Sequence, residues 1–155
     1  MIETVVEYEN GGRIDVYRMV DKSAGDFKNV FACCDYFARQ GKRAVIMPKV
    51  HYKDSLYKEI YSQLDAKYGG KCPDFSVNGI FYEHEGFDAG KNTNVKRTFK
   101  NMISRGEKQS NFIVINDCGV GHVWAQRNIY DRVRNGSDIK EVWILNNTGQ
   151  LARLC

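Results

Sequence analysis

The chain has 155 residues, 43% of them hydrophobic and 12% aromatic, with two prolines and a net charge of +4. That composition belongs to a globular chain long enough to bury a core, and it excludes a disordered polyelectrolyte, a collagen-like repeat or a low-complexity linker. No apolar run approaches the roughly 18 residues of a membrane span.

The chain in order begins acidic. MIETVVEYENGG has no apolar stretch of the signal-peptide kind, so a cytoplasmic protein with no membrane partner is expected. Ile2–Glu9 and Arg13–Val20 alternate around Asn10-Gly11-Gly12 and read as a hairpin. Asp26 is placed to cap a helix to about Gln40, with Phe27, Val30, Phe31, Cys34, Phe37 and Ala38 on one stripe and Gly41 as its stop. RAVIMP, Arg43–Pro48, is a short buried strand. Asp54 caps a second helix predicted to run to roughly Lys67, with Leu56, Ile60 and Leu64 facing inward, and Gly69-Gly70 ends it.

Next comes KCPDFSVNGIFYEHEGF, Lys71–Phe87. Asn78-Gly79 is the favoured pair for a two-residue type I′ turn, which sets Val77 opposite Ile80, Ser76 opposite Phe81, Phe75 opposite Tyr82 and Asp74 opposite Glu83. Side chains alternate along each strand, so one face carries Phe75, Val77, Ile80 and Tyr82 with His84 at its end. The other carries Asp74, Ser76, Phe81, Glu83 and Glu85. Three carboxylates on one face repel unless a metal, a basic partner or a proton intervenes. The alternative meaning is a solvated outer face.

A polar loop leads to a helix from Thr93 or Asn94 to Arg105, apolar along Val95, Phe99, Met102 and Ile103 and polar along Lys96, Arg97, Lys100, Asn101 and Ser104. NFIVIN, Asn111–Asn116, is a central-strand pattern. Val123–Arg134 reads as a helix, Glu141–Asn146 as a strand and Gln150–Leu154 as a last short strand. The expected class is α+β, a mixed α/β arrangement forming a single domain over 1–155, with a central, mostly antiparallel sheet and helices packed on it.

Charge is unevenly placed. Residues 1–26 hold six acids against three bases, whereas Lys91–Lys108 holds six bases against Glu107 alone. A local basic stripe in a nearly balanced chain points to a phosphate-bearing partner, although a charge run is more often a solvated face. Cys33, Cys34, Cys72, Cys118 and Cys155 form no CxxC pair, which argues for a reducing compartment and against structural zinc. No P-loop, HExxH, EF-hand loop or nucleophile elbow is present.

Several of these runs together resemble a family. Ala32 and, after three residues, YFARQGK, then CPDFSVNGIFYEHE, then the Lys/Arg-bearing helix, then KQSNFIVI are similar to the C-terminal tRNase toxins of contact-dependent growth inhibition systems and their phage relatives, within the barnase–EndoU–colicin–RelE group of metal-independent RNases. The resemblance runs from about Phe27 to Leu145. It implies a toxin or mobile-element endoribonuclease acting on RNA, tRNA in particular, without a cofactor, and an immunity protein as partner. The family's hairpin motif falls on Pro73, Asp74, Gly79 and Glu83, its basic helix on Lys96, Arg97 and Lys100, and its Gln-Ser/Ala on Gln109 and Ser110. The chain departs from the pattern at Glu85, where the family often has Lys.

RNA cleavage without metal needs a base for the 2′-hydroxyl, an acid for the 5′-oxygen and cations on the phosphate. The catalytic candidates are Asp74, Glu83, Glu85, Lys96 and His122; the nucleic-acid-binding candidates are Asn92, Lys96, Arg97, Lys100, Asn101, Gln109 and Ser110. His84 is expected on the apolar face and His51 at the surface. Two other readings stay open. Asp74, Glu83 and Glu85 are also the composition of a magnesium site in a PD-(D/E)xK-type nuclease, with Lys96 or Lys100 standing in for the missing lysine. The third is a catalytically inactive domain that binds nucleic acid or protein.

Overall fold

The structure is a computed structural model that describes residues 1–91 and 94–155. Two units are described in turn, Met1–Tyr82 and Glu83–Cys155. The class is α+β, and four of the seven strand pairings are antiparallel. Among the described residues no helix is long and apolar enough to cross a membrane.

In the first unit β1 (Ile2–Glu7) and β2 (Arg13–Tyr17) form the expected antiparallel hairpin. Helix α1 (Phe27–Arg39) then carries the chain to β3 (Arg43–Ile46), which lies parallel to β2. Val30, Cys33, Cys34, Phe37 and Ala38 form the buried face of α1, close to the predicted stripe, and Gly41 turns away from the helix at φ 84°. Asp26 sits at the N-cap, but its carboxylate makes no capping hydrogen bond.

The second helix is shorter than its periodicity predicts. α2 covers Ser55–Ile60 only, capped by Asp54, whose Oδ1 accepts from the Leu56 amide at 2.9 Å. Two side chains divert the chain after it. Tyr61 donates its hydroxyl to the Pro48 carbonyl at 2.6 Å, and Asp65 accepts from the Lys67 amide at 3.0 Å, nucleating a separate 3-10 turn, Ala66–Tyr68. A short polar side chain that bonds nearby backbone in this way competes with continued helix.

β4 (Phe75–Val77) pairs antiparallel with β3 and with the start of β5 (Ile80–Glu85). The register is the predicted one: Val77 opposite Ile80, Ser76 opposite Phe81, Phe75 opposite Tyr82. Asn78 at φ 48° and Gly79 at φ 85° make the two-residue turn, as a type I′ geometry requires. Asn78 also ties the turn to β3, accepting from the Arg43 amide through Oδ1 at 3.0 Å and donating its own amide to the Arg43 carbonyl at 2.9 Å.

The faces differ from expectation in two places. Ile80, at the turn, is 41% exposed rather than buried. The face predicted to be polar is covered within this unit: Phe81 packs on Tyr61 with ring centroids 5.8 Å apart, beside Tyr57, Ile60 and Met47, and Ser76 is buried.

In the second unit the end of β5 pairs parallel with β6 (Phe112–Asn116), β6 parallel with β7 (Glu141–Leu145), and β7 antiparallel with β8 (Leu151–Arg153). Helix α3 (Val95–Gly106) connects β5 to β6 and α4 (His122–Arg134) connects β6 to β7. Their inner faces, Phe99, Met102, Ile103, Ala125 and Ile129, close over Ile113, Ile115 and Val142. Val95, placed on the apolar stripe by its spacing, is 39% exposed because it opens the first turn.

Candidate functional site

Asp74 belongs to the first unit, one residue before β4. Its amide donates to the Tyr82 carbonyl and its carbonyl accepts from the Met47 amide, both at 3.0 Å, which holds the residue at the junction of β3, β4 and β5. The residue is 5% exposed. Lys49, just beyond the end of β3, brings Nζ to 2.8 Å from Asp74 Oδ1 and donates also to the Cys72 carbonyl at 2.7 Å. The pair stands in a cleft also lined by Phe27, Val30, Met47, Pro48, Asp21 and Asp26. Burial, and secondarily the Asp74 charge, pushes the Cys33 thiol far above the ordinary cysteine range.

Glu83 and Glu85 belong to the second unit. Paired residues of parallel strands share a face of the sheet. Glu83 lies opposite Ile113 and Glu85 opposite Ile115, so both project to the side covered by α3 and α4. Glu83 is 8% exposed. Glu85 meets a guanidinium: Arg105 Nε is 3.4 Å from its Oε2, and Arg105 Nη2 donates to the Gly86 carbonyl at 2.9 Å. His84 points to the other side, as expected, where its Nε2 lies 2.8 Å from Asn116 Oδ1. His51 is exposed.

The polar face of α3 is also placed as the periodicity predicts. Asn94 caps the helix by accepting from the Arg97 amide at 3.1 Å. Lys96, Arg97, Lys100 and Asn101 are exposed, and the helix carries no acidic residue. Among the described residues no carboxylate pairs with Lys96, Arg97 or Lys100. Lys96 and Lys100 instead hold their ammonium groups over the ring of Trp124, 5.4 and 5.8 Å from its centroid. Arg132 of α4 binds α3 through the Lys100 carbonyl at 3.1 Å and through Ser104 and Glu107, both at 3.2 Å, and so fixes the helix.

The remaining candidates are dispersed. His122 is exposed as the first residue of α4. Gln109 is half-buried. Ser110 is 2% exposed and its Oγ accepts from the Phe112 amide at 3.0 Å, in the turn into β6. Asn92 lies outside the described residues.

No protein-family model matches the chain, and no curated protein matches it. Among solved structures, it is similar to a chain of the CdiA-CT/CdiI toxin and immunity complex from Burkholderia pseudomallei. The likeness covers 86% of each chain at 19% sequence identity and a TM-score of 0.49. That degree of likeness bears on neither activity nor partner.

Two cations that meet candidate carboxylates, one in each unit, were not among the sequence candidates. Lys49, not a residue of the basic helix, meets Asp74, and Arg105, rather than Lys96 or Lys100, meets Glu85. Arg105 carries a faint signal in the sequence, as the one base on α3 near its C-terminal end. Lys49 carries none, because its position depends on β3 pairing with β4. Among the described residues no group of three His, Cys, Asp or Glu is placed to hold a metal ion. Asp74 in the first unit faces Lys49, and Glu85 in the second faces Arg105.

Proposed function

We propose that the chain is a metal-independent endoribonuclease of the toxin type that its motifs resemble, acting on RNA and on tRNA in particular. The observation that carries the reading is the row of exposed cations on α3, Lys96, Arg97 and Lys100, left without carboxylate partners among the described residues. Cations that are neither buried nor paired are available to phosphates, and their binding releases counterions from the nucleic acid. An immunity protein is the protein partner that the same resemblance implies.

The chemistry assigned here runs through the 2′-hydroxyl. Glu85 takes its proton, the 2′-oxygen attacks phosphorus, and the P–O5′ bond breaks. The products are a 2′,3′-cyclic phosphate and a 5′-hydroxyl. Arg105, already beside Glu85, neutralises charge that grows on the phosphate oxygens, as preorganised cations do in phosphoryl transfer. His122 is the candidate acid for the leaving oxygen, and Lys96 and Lys100 hold the flanking backbone. On this reading the acid at position 85 needs no family lysine, since Arg105 supplies the cation from α3.

The test is cleavage of tRNA by the wild type and by Glu85→Gln, Arg105→Gln and His122→Ala, with folding checked by circular dichroism. Loss of roughly 100-fold or more in rate from Glu85→Gln is expected of a general base. Undiminished cleavage by Glu85→Gln would remove it from the mechanism. A wild type that binds RNA and never cuts would favour the binding-only alternative.

A further inference from the structure

We infer that Trp124 is a base-stacking platform, and that the strand lying on α3 is single-stranded at that point. The inference rests on the RNA reading of α3 and names the form of RNA that the surface selects. Trp124 stands in the first turn of α4, half-buried, with its ring nearly perpendicular to that of Phe99, at 5.7 Å and 77°. Phe99 is fully buried, so the side of the indole that meets it is anchored in the core.

The cover over the ring is unusual for a packing residue. It includes the two ammonium groups of Lys96 and Lys100, both on exposed side chains without a carboxylate partner among the described residues. Cations rest on an indole because its face is electron-rich, but the contact is weak where water competes. Phosphate is the stronger partner for an ammonium group. Lys96 and Lys100 are one helical turn apart, about 5–6 Å, the order of spacing between successive phosphates in a single strand. When a strand arrives, the two lysines can exchange the ring for phosphates and expose the indole face between the backbone and the core.

An exposed indole face beside phosphate-holding lysines accepts a nucleobase. Only an unpaired base has a face to offer, because in a duplex each base is stacked on its neighbours and its edge is paired. Aromatic stacking with flanking cations is the physical basis of single-strand binding, and it tolerates any base. The ligand is thus an unpaired stretch of RNA, such as a loop or a splayed end, rather than a regular helix.

The experiment uses tryptophan emission and affinity together. The chain has two tryptophans, so Trp143→Phe leaves Trp124 as the reporter. The probes are a short unstructured RNA, the same RNA annealed to its complement, and heparin, which has charge but no bases. The unpaired RNA is expected to quench Trp124 emission well beyond the duplex or heparin. In the otherwise native chain, Trp124→Leu, which keeps apolar bulk against Phe99, should weaken unpaired RNA roughly 5- to 100-fold and leave heparin affinity unchanged; Trp124→Phe should lose less. Unpaired RNA that binds without quenching, with Trp124→Leu as tight as wild type, would overturn the platform while leaving α3 as a phosphate-holding face. Folded protein that binds neither RNA nor heparin would overturn the platform and the RNA reading together. The emission readout needs no change at position 124, so a poorly folded Trp124→Leu does not shelter the idea.

Discussion

Lys49 Nζ stands 2.8 Å from Asp74 Oδ1, joining a buried acid just before β4 to a cation just beyond β3. Asp74 is 6% exposed in its side chain and Lys49 61%, so the acid is fixed and the lysine reaches in from solvent. A charge-assisted hydrogen bond of this kind contributes about 1.5–3 kcal/mol. Lys49→Met is therefore expected to lower unfolding free energy by about 1–3 kcal/mol, and Asp74→Asn in the Lys49→Met background to cost less than it does alone. Denaturant melts of the four species give the coupling. Strictly additive losses would mean that the pair contributes nothing.

The α3 face makes a prediction about salt. Each phosphate contact on a single strand lowers the slope of log affinity against log salt by about 0.7. Lys96→Glu and Lys100→Glu should each weaken RNA binding and flatten that slope. Arg105→Gln should disturb cleavage more than binding, since its guanidinium is engaged with Glu85 and the Gly86 carbonyl. Slopes that do not change in either lysine variant would return the stripe to a solvated helix face.

How far the sequence reached can be argued from particular residues. Asn78-Gly79 specified its turn and register because both depend on two adjacent residues with positive φ. The exposed face of α3 was legible for a similar reason: its period is local and its apolar and charged residues do not mix. α2 was overextended because Leu56, Ile60 and Leu64 keep helical spacing while Tyr61 and Asp65 draw the backbone elsewhere. The hydroxyl of Ser110 caps its own turn, a contact that its place in a Gln-Ser pair does not reveal.

The site proved harder to read than the elements. A hairpin seen alone presents a polar outer face, but Tyr61, just past the end of α2, covers part of it, and nothing local foretells that Phe81 meets Tyr61. The cations at Asp74 and Glu85 likewise come from outside the hairpin, through a strand pairing for Lys49 and a helix crossing for Arg105. Charge on one strand pair predicts that partners exist; the tertiary fold decides which.

The buried thiols predict how stability varies at alkaline pH. Burial pushes Cys33 and Cys34 well above the ordinary thiol range, and burial likewise raises the Tyr61 phenol. Groups whose pKa is raised on folding stay protonated in the fold while the unfolded chain releases its protons. Their contribution is complete below the unfolded thiol pKa, about 8.5, and is lost as pH rises above it. Each thiol should then steepen the loss by about 1.4 kcal/mol per pH unit. Urea melts from pH 7 to 10 should show the decline, shallower in Cys33→Ala. Stability that is flat across that range would contradict the buried assignment. With a thiol reagent at neutral pH, exposed Cys155 should react first, and Cys33 and Cys34 only on unfolding.

The most direct measurement is the chemistry of the cut ends. Purified protein is incubated with tRNA and with a DNA of matched sequence, each with and without EDTA, and the product termini are identified by mass spectrometry. The account predicts that tRNA is cut equally well in EDTA, that the fragments end in 2′,3′-cyclic phosphate and begin with 5′-hydroxyl, and that the DNA is untouched because it lacks the attacking oxygen. Cleavage of the DNA that EDTA abolishes would contradict it and assign the hairpin carboxylates to a metal-dependent nuclease.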